Sequence, residues 1–124
     1  MDFKIDTKSN YTLITPVEPL LNANLADQIS EECQKLQESS AANFIIDLQI
    51  CKDADTACFP KLLDLHEHAY TSGQSLVFIY VQDGVMQKMK QEQLHLTLNI
   101  APTLIEAVDI INMEILERDL FNEE

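Results

Sequence analysis

Apolar positions recur along this chain with two different periods, and each change of period marks an element. Phe3 and Ile5 alternate with charged residues, the pattern of a half-buried strand. The turn cluster Lys8-Ser9-Asn10 separates it from a second strand over Tyr11 to Thr15, so the chain is predicted to open with a hairpin. Pro16 and Pro19 close that hairpin, since proline cannot donate to a sheet ladder. Leu25, Ala26, Ile29, Cys33 and Leu36 fall on one helical face. Asn24 is the predicted cap, with Asp27 three residues on, where a carboxylate suits the helix dipole. The pattern breaks at Ser39 to Asn43. Phe44-Ile45-Ile46 follows as a continuous apolar run, which is how a strand buried on both faces reads.

Gln49 to Thr56 is polar and acidic and predicts a loop. Phe59, Leu62, Leu63, His66, Ala69 and Tyr70 form a second amphipathic face, with Gly73 just past it as a C-terminal stop. Leu76 to Val81 reads as the second buried strand. Asp83 is the predicted cap of a short third helix, with Val85, Met86 and Met89 inward and Lys88 and Lys90 outward. Leu94, Leu96, Leu98 and Ile100 alternate with polar residues and predict an edge strand. Pro102 precedes a capping box, Thr103-Leu104-Ile105-Glu106, that opens a long last helix from about 103 to 121. Leu104, Val108, Ile111 and Ile115 form its core stripe. Met113, Leu116 and Leu120 form a second stripe, for which core packing is the first reading and a docking or dimer contact the second. Glu123-Glu124 reads as a frayed acidic end.

The resulting order, β-β-α-β-α-β-α-β-α, belongs to the α/β class, with a mixed, mostly parallel sheet carrying helices. At 124 residues, without a linker or repeat, one domain over 1–124 is expected. Apolar residues make up 46%, which argues against wholesale disorder. Lys plus Arg is 8 against 21 Asp plus Glu, a net charge of −13. That charge repels phosphate backbones and anionic lipid heads, so neither nucleic acid nor membrane is an expected partner. It suits basic partners and opposes self-association. The three cysteines, Cys33, Cys51 and Cys58, form no CxxC and cannot all pair within one chain, which points to a reduced, cytoplasmic setting. Met1 to Ile5 lacks the apolar core of a signal segment. The longest apolar run, Leu76 to Val81, falls far short of the roughly 20 residues that span a bilayer.

Candidate chemistry is sparse. Cys58 stands near Asp53 and Asp55, and negative neighbours raise a thiol's pKa, the opposite of what a nucleophile needs. His66-Glu67-His68 suggests a metal, but i and i+2 on a helix point about 200° apart and cannot share one ion. No GxGxxG, GxxxxGK[ST] or GxSxG occurs. Asp47 ends a central strand as a receiver phosphoacceptor would, yet the carboxylate cluster and the lysine that such a site needs are missing. The chain is therefore expected to be no enzyme and to use no cofactor and no metal. The remaining feature is the acidic loop entering the second helix, Lys52 to Pro60, since loops at the carboxyl ends of strands carry function in open α/β sheets. Locally, Asp55 or Thr56 could equally serve as a plain helix cap.

Three stretches, taken in order, resemble the STAS domain of sulphate transporters and anti-sigma factor antagonists. Phe44-Ile45-Ile46-Asp47-Leu48 resembles the strand before that family's switch loop. Asp55-Thr56-Ala57-Cys58-Phe59 stands where the family has Asp-Ser-Ser/Thr-Gly-Leu, eight residues after Asp47. Pro102-Thr103-Leu104-Ile105-Glu106-Ala107-Val108 resembles the start of its last helix. The resemblance implies the STAS-like fold and a partner switch without catalysis. Antagonists of this family bind an anti-sigma factor that is also a serine/threonine kinase, and phosphorylation after the motif's Asp releases it. By position the phosphorylation site is Thr56, and the partner-binding residues are Asp53, Asp55, Thr56, Ala57, Cys58 and Phe59.

Two departures accompany the resemblance. Cys58 replaces the motif's glycine and Ala57 its second hydroxyl. Pro60 lacks the N–H that a fourth helical residue needs, so the helix should start near Phe59, with Pro60 at its first position and Thr56 in the loop. A phosphorylation-independent scaffold or assembly subunit with a degenerate loop is the alternative function, and a homodimer through the last helix the alternative contact.

Overall fold

The computed structural model describes residues 3–39 and 43–122. Met1, Asp2, the centre of the predicted break at 40–42 and the acidic end Glu123-Glu124 lie outside the described residues. Among the described residues seven strands form: β1 (Phe3–Thr7), β2 (Thr12–Pro16), β3 (Leu20–Leu21), β4 (Phe44–Asp47), β5 (Asp53–Ala54), β6 (Leu76–Ile79) and β7 (Ile100–Ala101). Four helices accompany them: α1 (Ala23–Ser39), α2 (Phe59–Thr71), α3 (Asp83–Gln91) and α4 (Leu104–Asn122). The main sheet runs β1-β2-β4-β6-β7, with β1 antiparallel to β2 and every other pair parallel. A second, two-stranded sheet pairs β3 with β5.

The two continuous apolar runs are the central strands, and every residue of β4 and β6 is buried. Strand alternation sends Phe44, Ile46, Leu76 and Phe78 to one face, where they join Leu25, Ile29, Leu62 and Val85. Ile45, Val77 and Ile79 point the other way and pack with Ala107 and Ile111. The first group draws on α1, α2 and α3, and the second on α4 alone. The sheet is therefore covered by three helices on one side and a single helix on the other. Among the described residues, no helix is long and apolar enough to cross a membrane.

Local signals place most ends correctly. Gly73, at φ +74°, follows the last turn of α2, a backbone geometry that costs a residue with a Cβ. Thr103 Oγ1 accepts the Glu106 N–H at 3.4 Å and so caps α4. Other expectations change. The cap of α1 is Asn22 rather than Asn24: the helix starts at Ala23, and Asn22 Oδ1 accepts the Leu25 N–H at 2.9 Å. Asp83 is the first residue of α3 and Gln82 occupies the cap position. In β1, Phe3 packs against the core while Ile5 is exposed, because this strand lies at the sheet's edge.

The predicted edge strand over Leu94 to Ile100 is mostly not a strand. Gln93, at φ +63°, turns the chain out of α3, and a single 3-10 turn spans Leu94–Leu96. Leu94 and Leu98 are buried while Leu96 is 72% exposed. The four-residue spacing of the two buried leucines is a helical contact that the period-two alternation concealed. Only Ile100–Ala101 joins the sheet.

Asn43 ties together the amino-terminal ends of the strands. Its Oδ1 accepts the Ser75 N–H at 2.9 Å and Arg118 Nη2 at 3.1 Å, and its Nδ2 donates to Asn10 O at 3.0 Å. Asn43→Ala strands a buried amide and a carbonyl, each costing about 1–3 kcal/mol. A loss of roughly 2–4 kcal/mol is expected in urea unfolding, with the m-value unchanged.

Candidate functional site

The site grows from the carboxyl end of β4. Asp47 closes that strand and turns back on itself: its Oδ1 accepts the Gln49 N–H at 2.9 Å, and its Oδ2 accepts Gln49 Nε2 at 2.6 Å. Asp47 is thus occupied in shaping a turn. The following stretch, predicted as a plain loop, is stitched to the segment after the first hairpin. Lys52 N–H donates to Pro19 O at 2.8 Å, Leu20 and Leu21 pair with Asp53 and Ala54, and Asp55 N–H donates to Leu21 O at 2.8 Å. Cys51 and Ala54, apolar residues in a polar stretch, are buried and pin the loop from below.

A lysine clamps the same segment from the side. Lys88 Nζ donates to Asp53 Oδ1 and to Ala54 O, both at 2.8 Å. It was expected on the outer face of α3; instead its ammonium turns to an adjacent carboxylate and carbonyl. The Lys88 hydrogen bond, followed by that of the Ala54 amide, holds the Asp53 carboxyl below its ordinary pKa. Gly84, in the first turn of α3, allows this closeness, since a Cβ there would stand 3.3 Å from Lys52 O.

Asp55 then caps a 3-10 turn over Thr56–Cys58, its Oδ1 accepting the Ala57 N–H at 3.1 Å. The turn runs directly into α2. That helix starts at Phe59, as Pro60 requires, with the proline one position further in than expected. Cys58 lies at φ −78°, so the turn uses no positive φ and tolerates a residue other than glycine.

Three solved structures share this architecture. Moorella thermoacetica RsbS superposes with a TM-score of 0.74 at 18% identity, over 95% of this chain and 99% of that one. An anti-sigma-factor antagonist (STAS) domain protein from Planctomyces limnophilus gives 0.74 at 13% identity, over 90% and 99%. A chain of the stressosome, a signal integration and transduction hub, gives 0.65 at 16% identity, over 88% and 96%. The fold is that of STAS domains. No family model and no curated protein sequence matches the chain.

On this STAS fold the six predicted contact residues divide into two sets. Asp53, Asp55, Thr56 and Ala57 are exposed, with buried Ala54 between the two aspartates. Cys58 and Phe59 do not belong with them: they are 0% and 2% exposed, in the core beneath α2. Facing inward at the start of an amphipathic helix, they support the turn from within. All three thiols are free and buried. Burial, and then Asp55, pushes the Cys58 thiol up to about 12. Burial, and then Glu18 and Asp47, raises Cys51 to about 11. Burial, and then Glu32, raises Cys33 to about 12.

His66 and His68 separate as helical geometry demands. His68 is exposed. His66 is half-buried against Tyr70, with ring centroids 4.7 Å apart, and its burial lowers the imidazole's pKa. Among the described residues no group of three or more histidines, cysteines or carboxylates converges on one point. Sequence reasoning missed Lys88 and the β3–β5 pairing, whose partners lie about 35 residues apart in sequence.

Two outcomes are expected. In Lys88→Met the Asp53 pKa, followed by NMR titration, moves up toward its ordinary value, and the Ala54 and Asp55 amides exchange faster. The sign follows from the depressed folded pKa: the pair stabilises the fold at neutral pH, and that contribution fades as pH falls through the folded pKa. With a chromogenic disulfide reagent at about pH 8, the native protein releases no thiol signal, and denaturation exposes all three cysteines.

Proposed function

We propose that this chain is a non-catalytic regulatory module that binds a protein partner through the Asp53–Ala57 turn and releases it when Thr56 is phosphorylated. The observation carrying the reading is the exposed run Asp55, Thr56 and Ala57 on a turn fixed from three sides, at the carboxyl edge of a STAS sheet. The partner implied by the resemblance is an anti-sigma factor that is also a serine/threonine kinase, which would make the chain an anti-sigma factor antagonist acting on transcription in a bacterial cytoplasm. The neighbouring face of α2, with Lys61 and Asp64 exposed, completes the contact surface.

The switch is electrostatic. Phosphate adds about −1.5 to −2 charges and three acceptor oxygens. At Thr56 those charges meet the carboxylate of Asp55, already committed as a cap, with Asp53 on the same stretch. In a desolvated interface the repulsion and the lost hydration oppose binding. The fold does not depend on the Thr56 hydroxyl, which is exposed and makes no hydrogen bond among the described residues. A second reading, an assembly subunit without phosphocontrol, is favoured by Ala57 and Cys58 in the motif and by the likeness to a stressosome chain.

Thr56→Asp is expected to weaken binding to an anti-sigma factor of the serine/threonine kinase type by about tenfold or more relative to Thr56→Ala, with circular dichroism unchanged. Calorimetric titration of both variants measures this. Equal affinities, with no phosphate found on Thr56 after incubation with the partner and ATP, would select the assembly reading.

A further inference from the structure

The last helix carries two apolar stripes, and the structure uses only one. Ala107 and Ile111 are buried against the sheet, with Leu104, Val108 and Ile115 packed beside them. On the opposite side, Ile105, Met113, Leu116 and Leu120 are 76%, 63%, 60% and 57% exposed. Core packing, the first reading of Met113, Leu116 and Leu120, is therefore overturned: the sheet is on the other side of the helix. Met113, Leu116 and Leu120 stand at three- and four-residue spacing over about 10 Å, two helical turns, while exposed Asp109 separates them from Ile105. A cluster of exposed apolar side chains with charges around it is the kind of surface that marks an interaction site.

The charges around the stripe say what can cover it. Glu106, Asp109, Glu117 and Asp119 are all exposed on α4. None of them pairs with a lysine or arginine among the described residues. The helix's one basic residue, Arg118, is turned inward to Ser75 Oγ and Asn43 Oδ1, each at 3.1 Å. A second copy would bring an identical acidic rim and its own share of −13 charges. An anionic lipid surface would meet the same repulsion.

We propose that the outer face of α4 docks an amphipathic helix of another protein, apolar at three- and four-residue spacing and flanked by lysine or arginine. The apolar residues of that helix would cover Met113, Leu116 and Leu120, while its basic flanks would neutralise the rim. This surface lies across the sheet from α2 and its occupancy does not require the Thr56 switch.

The probes are three synthetic peptides of about 18 residues, long enough to cover Met113 to Leu120 with at least a turn to spare on each side. One carries leucines at helical spacing with lysine flanks, one the same leucines with glutamate flanks, and one the lysine composition in scrambled order. Fluorescence anisotropy measures affinity, and amide chemical shifts locate the contact. The registered lysine peptide is expected to bind about tenfold or more tighter than either control and to shift α4 resonances. Met113→Ser/Leu116→Ser/Leu120→Ser, all surface changes, should abolish that difference, and Glu117→Gln/Asp119→Asn should reduce it. Equal binding of the scrambled peptide, no binding by any peptide, or full affinity in the triple serine variant overturns the proposal. So does a wild-type dimer in sedimentation that the same serines dissolve, which would assign the face to a second copy.

Discussion

Seven apolar side chains on two adjacent parallel strands, Phe44 to Ile46 and Leu76 to Ile79, must be kept from water on both faces of the sheet at once. Each is worth about 1.5–3 kcal/mol when fully buried. Helices on one side alone would leave Ile45, Val77 and Ile79 wet, so α4 has to cross beneath them. The same requirement fixes where β4 and β6 end, and hence where the chain emerges to form its exposed turns. The carboxyl edge of this sheet is rigid because its middle is dry.

The acidic turn inherits that rigidity through contacts of a different kind. A short parallel pairing, a lysine bridge and a glycine with no side chain in the way hold Lys52 to Asp55 against β3 and α3. Each is small. Together they restrict the backbone before any partner arrives, which lowers the ordering cost of association. On the proposed reading, a turn fixed in this way would lose its partner on gaining charge while keeping its own shape.

Much of the scaffold was legible in the sequence because its signals are local. The apolar runs at Phe44 and Leu76, the stop at Gly73, the capping box at Thr103 and the helix start forced by Pro60 each depend on residues within one or two turns of one another. What escaped depends on distance in the chain. Lys88 looked like a solvated residue because its partners Asp53 and Ala54 lie some 35 residues earlier. Leu20-Leu21 is too short to announce a strand. Leu94 and Leu98 satisfied two periods at once, and only the turn at Gln93 decided between them. At the candidate site, Asp55, Thr56 and Ala57 were singled out by motif and stand exposed, whereas the inward orientation of Cys58 and Phe59 was settled by packing.

The division of the helices, three against one face of the sheet and one against the other, bears on how many guests the molecule can hold. A body resting on the far side of α4 and a body seated at Thr56 would be separated by the thickness of the domain itself. Charge arriving at the threonine would then eject one and leave the other in place. On the two proposals above, such a chain would act as a coupling with one fixed arm and one releasable arm.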